Sequence, residues 1–424
     1  MRTDRRRFLK VSGVTGIGLA SGLSGFATGS TIQYPIIPNN AFMEDTVSII
    51  GQYGQWAASR NDKSLPEFSF RRKEWPHLEK WKAAALKRTI ERMAIPDLGK
   101  TPEVKVMAQY AYDGLHIEEL QWQLPYGRPT EAILLKPLNQ TGALPGILAF
   151  HDHGGNKYFG TRKITRTSDQ QHPMMTAHQQ EYYQGRAWAN EIAKRGYVVL
   201  VPDAFTFGSR RVMLQDVPEN LRRGLSDNDA EEQNNINDYN RWAGEHEHIM
   251  AKSLFSAGTT WPGVFFAEDR VALDILMARS DVDKDRMGCS GLSGGGLRTV
   301  LMGGLDHRIK CAIPSGFMTT WKDFILNKSY THTWMAYIPL LPNELDFPEI
   351  LGLRAPLSAL VLNNNEDSLF TLSEMKRADD MLKAVYQKAN AEDRYRCSFY
   401  AGPHKFDAKM QEEAFAWFDR WFRG

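Results

Sequence analysis

Gly291-Leu292-Ser293-Gly294-Gly295 is the stretch of this 424-residue chain best suited to covalent chemistry. The spacing G-x-S-x-G lets a strand turn sharply into a helix, with the serine on the strained turn and its oxygen exposed. A serine hydroxyl is a weak nucleophile. It needs a base to take its proton and a third group to orient that base. His404 follows the last strand-like run and offers the base; Asp367 follows the run before it and offers the orienting carboxylate. Ser293, Asp367 and His404 are therefore the candidate catalytic residues. In those roles Ser293 would attack a carbonyl carbon, His404 would take its proton, and Asp367 would hold the imidazole tautomer and stabilise the imidazolium. Glu366 and Asp203 are the competing carboxylates.

The oxyanion formed in such an attack needs two preorganised N–H donors. The backbone N–H of Gly294 is one candidate. The other comes from His151-Asp152-His153-Gly154-Gly155, where Gly154 and Gly155 allow the backbone close to a substrate. His153, Trp261 and Trp334 are candidate substrate-binding residues. The His151/His153 and His246/His248 pairs raise a rival chemistry, metal-assisted hydrolysis. No HExxH or zinc-finger spacing accompanies them, so neither metal nor cofactor is expected.

These residues need elements to hold them at one edge of a sheet. From residue 146 onward, apolar strand-like runs alternate with helical patterns, which predicts a mostly parallel sheet covered on both faces. Strands are expected at 146–150, 197–201, 286–289, 309–313, 357–362 and 394–400. Helices are expected at 186–195, 265–279, 297–302 and 371–388, with a closing amphipathic helix carrying Phe415, Trp417, Phe418, Trp421 and Phe422. Upstream, 115–123 and 132–136 flank the turn Pro125-Tyr126-Gly127 and read as a hairpin. An amphipathic helix over 75–93 packs on the main domain. The polar segment 205–260 and the aromatic segment 318–351 break the alternation. Both follow strand ends and read as insertions shaping a pocket.

Composition bounds the rest. Hydrophobic residues make up 42% and charged residues 24%, which is ordinary for a globular chain. The net charge is +2; the first thirty residues carry +4 of it, leaving −2 for the remainder. No nucleic-acid surface is implied. The N-terminus, Asp4-Arg5-Arg6-Arg7-Phe8-Leu9-Lys10 followed by an apolar Gly/Ser-rich run, resembles a twin-arginine export signal, with Asp4 where Ser or Thr is usual. That implies engagement of the twin-arginine machinery and a periplasmic or secreted mature protein. Cys289, Cys311 and Cys397 lie in apolar runs without a Cys-x-x-Cys spacing and read as buried free thiols.

With these pieces in view, residues 100–424 resemble the α/β-hydrolase superfamily, and within it the dienelactone-hydrolase-like and acetyl-xylan-esterase-like branch. The matching pieces are His151 to Gly155, Asp203-Ala204-Phe205-Thr206-Phe207-Gly208-Ser209-Arg210, Trp261-Pro262-Gly263, Gly291 to Gly295, Asn365-Glu366-Asp367 and Gly402-Pro403-His404. A true dienelactone hydrolase carries Cys at the nucleophile position, where this chain carries Ser293. The resemblance implies an eight-stranded-type sheet with insertions at the C-terminal strand edge. With the export signal, the expected division is a signal at 1–29, an extension at 30–100, and a catalytic domain at 101–424. The resemblance implies ester hydrolysis without fixing a substrate; together with the export signal, the expectation is an exported serine hydrolase of carboxylic esters, acting on a small-molecule or carbohydrate ester such as an acetylated polysaccharide. The rivals are a peptidase or amidase on the same scaffold, a metal-dependent hydrolase, and a non-catalytic binding protein.

Overall fold

The computed structural model describes residues 47–62, 65–227 and 231–423. The twin-arginine motif and the start of the extension lie outside these residues. Nine strands form one sheet: β1 (Lys105–Tyr112), β2 (Leu115–Trp122), β3 (Thr130–Pro137), β4 (Leu144–Phe150), β5 (Val198–Pro202), β6 (Val282–Leu292), β7 (Cys311–Ser315), β8 (Ser358–Asn364) and β9 (Tyr395–Tyr400). Their order is β1-β2-β3-β5-β4-β6-β7-β8-β9. The pairs β1–β2, β2–β3 and β3–β5 are antiparallel. From β5 through β9 every pair is parallel.

The parallel strands β5, β7 and β8 are buried along their whole length, which explains why they read as unbroken apolar runs. Alternation survives in the direction of the side chains. In β4, Leu148 and Phe150 join the core on one face, while Ile147 and Ala149 join the core on the other. The first face is covered by helices Trp261–Met277, Gly294–Leu305 and Leu372–Lys388; the second by Trp188–Lys194 and Ala408–Phe422. The helix Leu78–Met93 belongs to the first layer. Its Trp81, Ala85 and Met93 are buried there, and Thr260 Oγ1 donates to the Met93 carbonyl at 2.6 Å.

Two features depart from the sequence-based expectation. The strand β1 extends the sheet beyond eight. Its residues are exposed or only partly buried, so it lacks the apolar signature of the other strands. The insertion at 205–260 contains the helix Gln233–Ser256, whose buried Ile236, Tyr239, Trp242, Ala243, Glu247 and Ala251 share one face at helical spacing. The three cysteines are free thiols, Cys289 and Cys311 buried and Cys397 partly so.

The topology concentrates chemistry in one place. From β4 the chain moves to β5 on one side and later to β6 on the other, so the connections reverse direction there. The crevice outside the C-terminal ends of strands at such a reversal is where open α/β sheets bind ligands. The pairings Phe150 with Gly291 and Leu292 with Ser315 put the loop after β4 beside the turn after β6.

Candidate active site

Ser293 occupies the turn between β6 and the helix Gly294–Leu305, with φ 58° and ψ −117°. A side chain rarely adopts this conformation, and neighbouring bonds hold it. The Ser293 N–H donates to the Ser315 carbonyl at 2.9 Å, and its carbonyl accepts from the Leu297 N–H at 2.9 Å, opening the helix. The flanking glycines are required by proximity. A Cβ on Gly291 would lie 2.5 Å from the Phe150 carbonyl oxygen, and one on Gly295 would lie closer still. The helix is tied to its neighbour by the buried Arg298, whose guanidinium bonds Asp269 at 2.5 and 3.0 Å.

Asp367 and His404 arrive on the loops after β8 and β9. His404 Nδ1 lies 2.6 Å from Asp367 Oδ2. The other carboxylate oxygen accepts from the Leu369 N–H at 2.9 Å, and the carboxylate is buried. Among the described residues His404 Nε2 is buried without a hydrogen-bond partner. His404 and Ser293 line the same cavity of about 400 Å³. The competing carboxylates are committed elsewhere. Glu366 turns to the Gly402 N–H at 3.2 Å and helps join the two loops. Asp203 accepts from the N–H groups of Thr161 and Ser209, both at 2.7 Å.

The loop after β4 closes the cavity on the far side of Gly294. The backbone nitrogen of His153 lies 3.1 Å from where a Gly294 Cβ would stand, so the His153 N–H is the loop donor nearest the elbow. Gly154 and Gly155 both line the cavity with positive φ. The Gly155 N–H is directed instead at His153 Nδ1, at 3.1 Å. That departs from its expected place as an oxyanion donor, because the turn folds the N–H back onto the histidine ring.

The His153 side chain lines the cavity but is held by the insertion. Its Nε2 lies 2.9 Å from Glu247 on the helix Gln233–Ser256. The same carboxylate accepts from Lys157 Nζ, from Thr333 Oγ1 at 2.6 Å and from the Trp334 N–H at 3.3 Å. Burial opposes ionisation of Glu247, but the His153 hydrogen bond and the Lys157 ammonium outweigh it and hold the carboxyl at about 2. One buried carboxylate therefore ties both insertions to the loop after β4. Nothing in the periodicity marks this node, although His153 belongs to the loop 151–155 and Lys157 follows that loop by two residues.

The two tryptophans expected to bind substrate do not line the cavity. Trp261 is buried at the start of its helix, edge-on to Phe205. The reason is local: Thr260 caps the helix by accepting from the Gly263 N–H and Pro262 follows, so Trp261 is its first residue and faces the core. Trp334 contributes its backbone N–H to Glu247 and is 40% exposed. Aromatic lining comes instead from Tyr182, Phe317, Tyr330 and His332. His332 packs against Phe317 and Phe370 and bonds the Leu369 carbonyl at 2.9 Å; burial pushes its pKa down to about 4, so it is neutral near pH 7.

The histidine pairs do not converge. His151 Nε2 accepts from the Ala204 N–H at 3.2 Å, His246 stacks on Trp242, and His248 bonds the Glu245 carbonyl. Among the described residues no group of three or more His, Cys, Asp or Glu side chains forms a metal-binding set.

No family model matches this chain. YtaP of Bacillus subtilis strain 168, a protein assigned as a hydrolase, is 26% identical over 306 residues, covering 72% of this chain and 88% of its own. Among solved structures, a Bacteroides fragilis protein assigned as an acetyl xylan esterase superposes with a TM-score of 0.61 at 17% identity, over 83% of this chain and 82% of its own. The glucuronoyl esterase from Solibacter usitatus gives 0.54 at 14% identity, over 81% and 93%. The methylesterase BT1017 gives 0.54 at 17% identity, over 89% and 69%.

The fold is that of the α/β-hydrolases. The antiparallel start, the parallel sheet order and the strand–turn–helix around Ser293 all agree with it. No helix among the described residues is long and apolar enough to cross a membrane.

Proposed function

We propose that this protein is a serine esterase that cleaves carboxylic esters through an acyl-enzyme at Ser293. The observation that carries the reading is the 2.6 Å bond between Asp367 and His404 beside a cavity that Ser293 also lines. With Nδ1 bonded to the carboxylate, the imidazole is held in the tautomer whose Nε2 accepts a proton. Ser293 Oγ attacks the ester carbonyl and gives its proton to Nε2. The carbonyl oxygen becomes negative and is met by the N–H groups of Gly294 and His153. Collapse expels the alcohol, which takes the proton from Nε2. Water then repeats the sequence on the acyl-enzyme, with His404 as base.

The substrate class we favour is an ester on a carbohydrate, met outside the cytoplasm. The twin-arginine-like leader supports the location, and the fold neighbours that act on carbohydrate esters support the class. The exposed Tyr330 at the cavity mouth offers a face on which a sugar ring can stack. Hydrolysis of p-nitrophenyl acetate, butyrate and octanoate, and of acetylated xylan, by the mature protein beside Ser293→Ala tests the reading. Activity lost in the variant is the expected result; a folded Ser293→Ala with full activity would falsify it. An amidase on the same scaffold would instead turn over the matching p-nitroanilides at comparable rates.

A further inference from the structure

Lys163 is the most deeply buried cation beside the site, and hydrolysis as described above gives it no role. It ends the single turn Thr161–Lys163, and its side chain has no solvent exposure. An ammonium in that position must be compensated by hydrogen bonds. Its Nζ donates to the carbonyl oxygens of Asp152 and His153, both at 2.8 Å. The Asp152 carboxylate stands farther away, at 4.0 Å, and the Phe207 ring lies beneath the ammonium at 4.8 Å. The short bonds therefore go to two successive peptide units of the loop that faces Ser293.

A second donor acts on the same peptide. His151 Nε2 accepts from the Ala204 N–H, so in the neutral ring the proton is on Nδ1, which lies 3.0 Å from the Asp152 carbonyl. Burial lowers the His151 pKa well below the ordinary value and keeps the ring neutral. The Asp152 carbonyl is thus gripped by Lys163 and His151 together. A trans peptide points its C=O and its N–H in opposite directions within one plane. The Asp152–His153 bond is trans. Fixing the carbonyl toward Lys163 therefore turns the His153 N–H away from it, and the neighbour of that nitrogen is Gly294.

We propose that Lys163 is a positioning residue for ester hydrolysis: with His151 it clamps the Asp152–His153 peptide so that the His153 N–H faces the oxygen that turns negative at Ser293. The proposal rests on Ser293 being the nucleophile. Without the clamp the peptide is free to rotate, and rotation brings a carbonyl oxygen toward the developing negative charge in place of a donor.

The test is Lys163→Met, which keeps an unbranched side chain one atom shorter and removes the donor. We expect kcat to fall about 100-fold, the cost of losing one oxyanion donor, with KM changed less than threefold. The affinity for an aryl trifluoromethyl ketone, whose adduct on Ser293 carries the tetrahedral oxyanion, should fall by a similar factor. A purely structural lysine would lower the melting temperature and leave that affinity unchanged. A folded Lys163→Met with wild-type kcat and ketone affinity overturns the proposal while Ser293-dependent turnover still stands. Loss of the Ser293 requirement would instead overturn the underlying reading. Should Lys163→Met not fold, a crystal structure of the wild-type ketone adduct decides. The oxygen is expected within hydrogen-bond reach of both the His153 and Gly294 nitrogens, and an oxygen bonded without the His153 N–H overturns the clamp.

Discussion

Glu247 on the long insertion helix and His153 in the loop after β4 meet at 2.9 Å, and through this contact the two insertions and the candidate oxyanion loop share one anchor. Lys157, Thr333 and the Trp334 backbone complete the anchor. Removing the carboxylate strands a buried ammonium. Glu247→Ala should destabilise the protein by roughly 3–5 kcal/mol, the usual cost of breaking one side of a buried pair. Urea denaturation measures this, and a loss below about 1 kcal/mol would mean that the anchor is dispensable. The pH dependence has a definite sign. The folded carboxyl titrates at about 2, below its ordinary 4.5. Its contribution is complete above about pH 4.5 and is lost as the pH falls toward 2.

Asp367 and Glu366 stand side by side, yet only Asp367 touches His404. Asp367→Asn should lower kcat by about 10³- to 10⁴-fold, because an amide no longer fixes the tautomer or stabilises the imidazolium. Glu366→Gln should stay within threefold of wild type. Steady-state kinetics on p-nitrophenyl acetate distinguish them, and the reverse ranking would reassign the acid.

His332 supplies a second stability limb. Its folded pKa is held by burial at about 4, against 6.5 for the free side chain. Between those values the unfolded chain binds more protons, so stability should decline as the pH drops from about 6.5 to about 4. The decline is on the order of 1–3 kcal/mol. Melting temperatures across this range should fall less steeply for His332→Gln than for wild type. Parallel slopes would assign the limb to other groups.

Trp261 and Tyr330 should separate by experiment. Trp261→Ala, which opens a buried hole, should cost about 3–5 kcal/mol of stability. Tyr330→Ala should leave stability unchanged and raise KM for a carbohydrate ester by about 2- to 10-fold, the worth of one stacking contact. Equal KM values for Tyr330→Ala and wild type on such an ester would remove the stacking role.

Much of this arrangement was legible because topology orders it. In a parallel sheet the loops after β6, β8 and β9 emerge at one edge, so strand-end positions such as 293, 367 and 404 approach each other whatever the insertions do. The strands β5, β7 and β8 announced themselves through their apolar runs, whereas β1, exposed along much of its length, carried no such signal. Trp261 misled because an aromatic near a predicted insertion reads alike whether it faces core or cavity. Thr260 and Pro262 were the cue that it begins a helix. Lys163 and Glu247 stayed invisible for a different reason. Each is a charged residue whose partners lie 10 to 94 positions away, and long-range polar pairing leaves no period in a sequence.

The backbone of Ser293 has a further consequence. Its φ of 58° and ψ of −117° belong to a region that glycine enters freely and other residues enter at a cost of about 1–3 kcal/mol. The neighbouring positions 294, 295 and 296 are already glycine. Glycine at 293 would carry no such cost. On folding energy alone the hydroxymethyl group is a burden, so the turn stores its strain at the residue proposed to react.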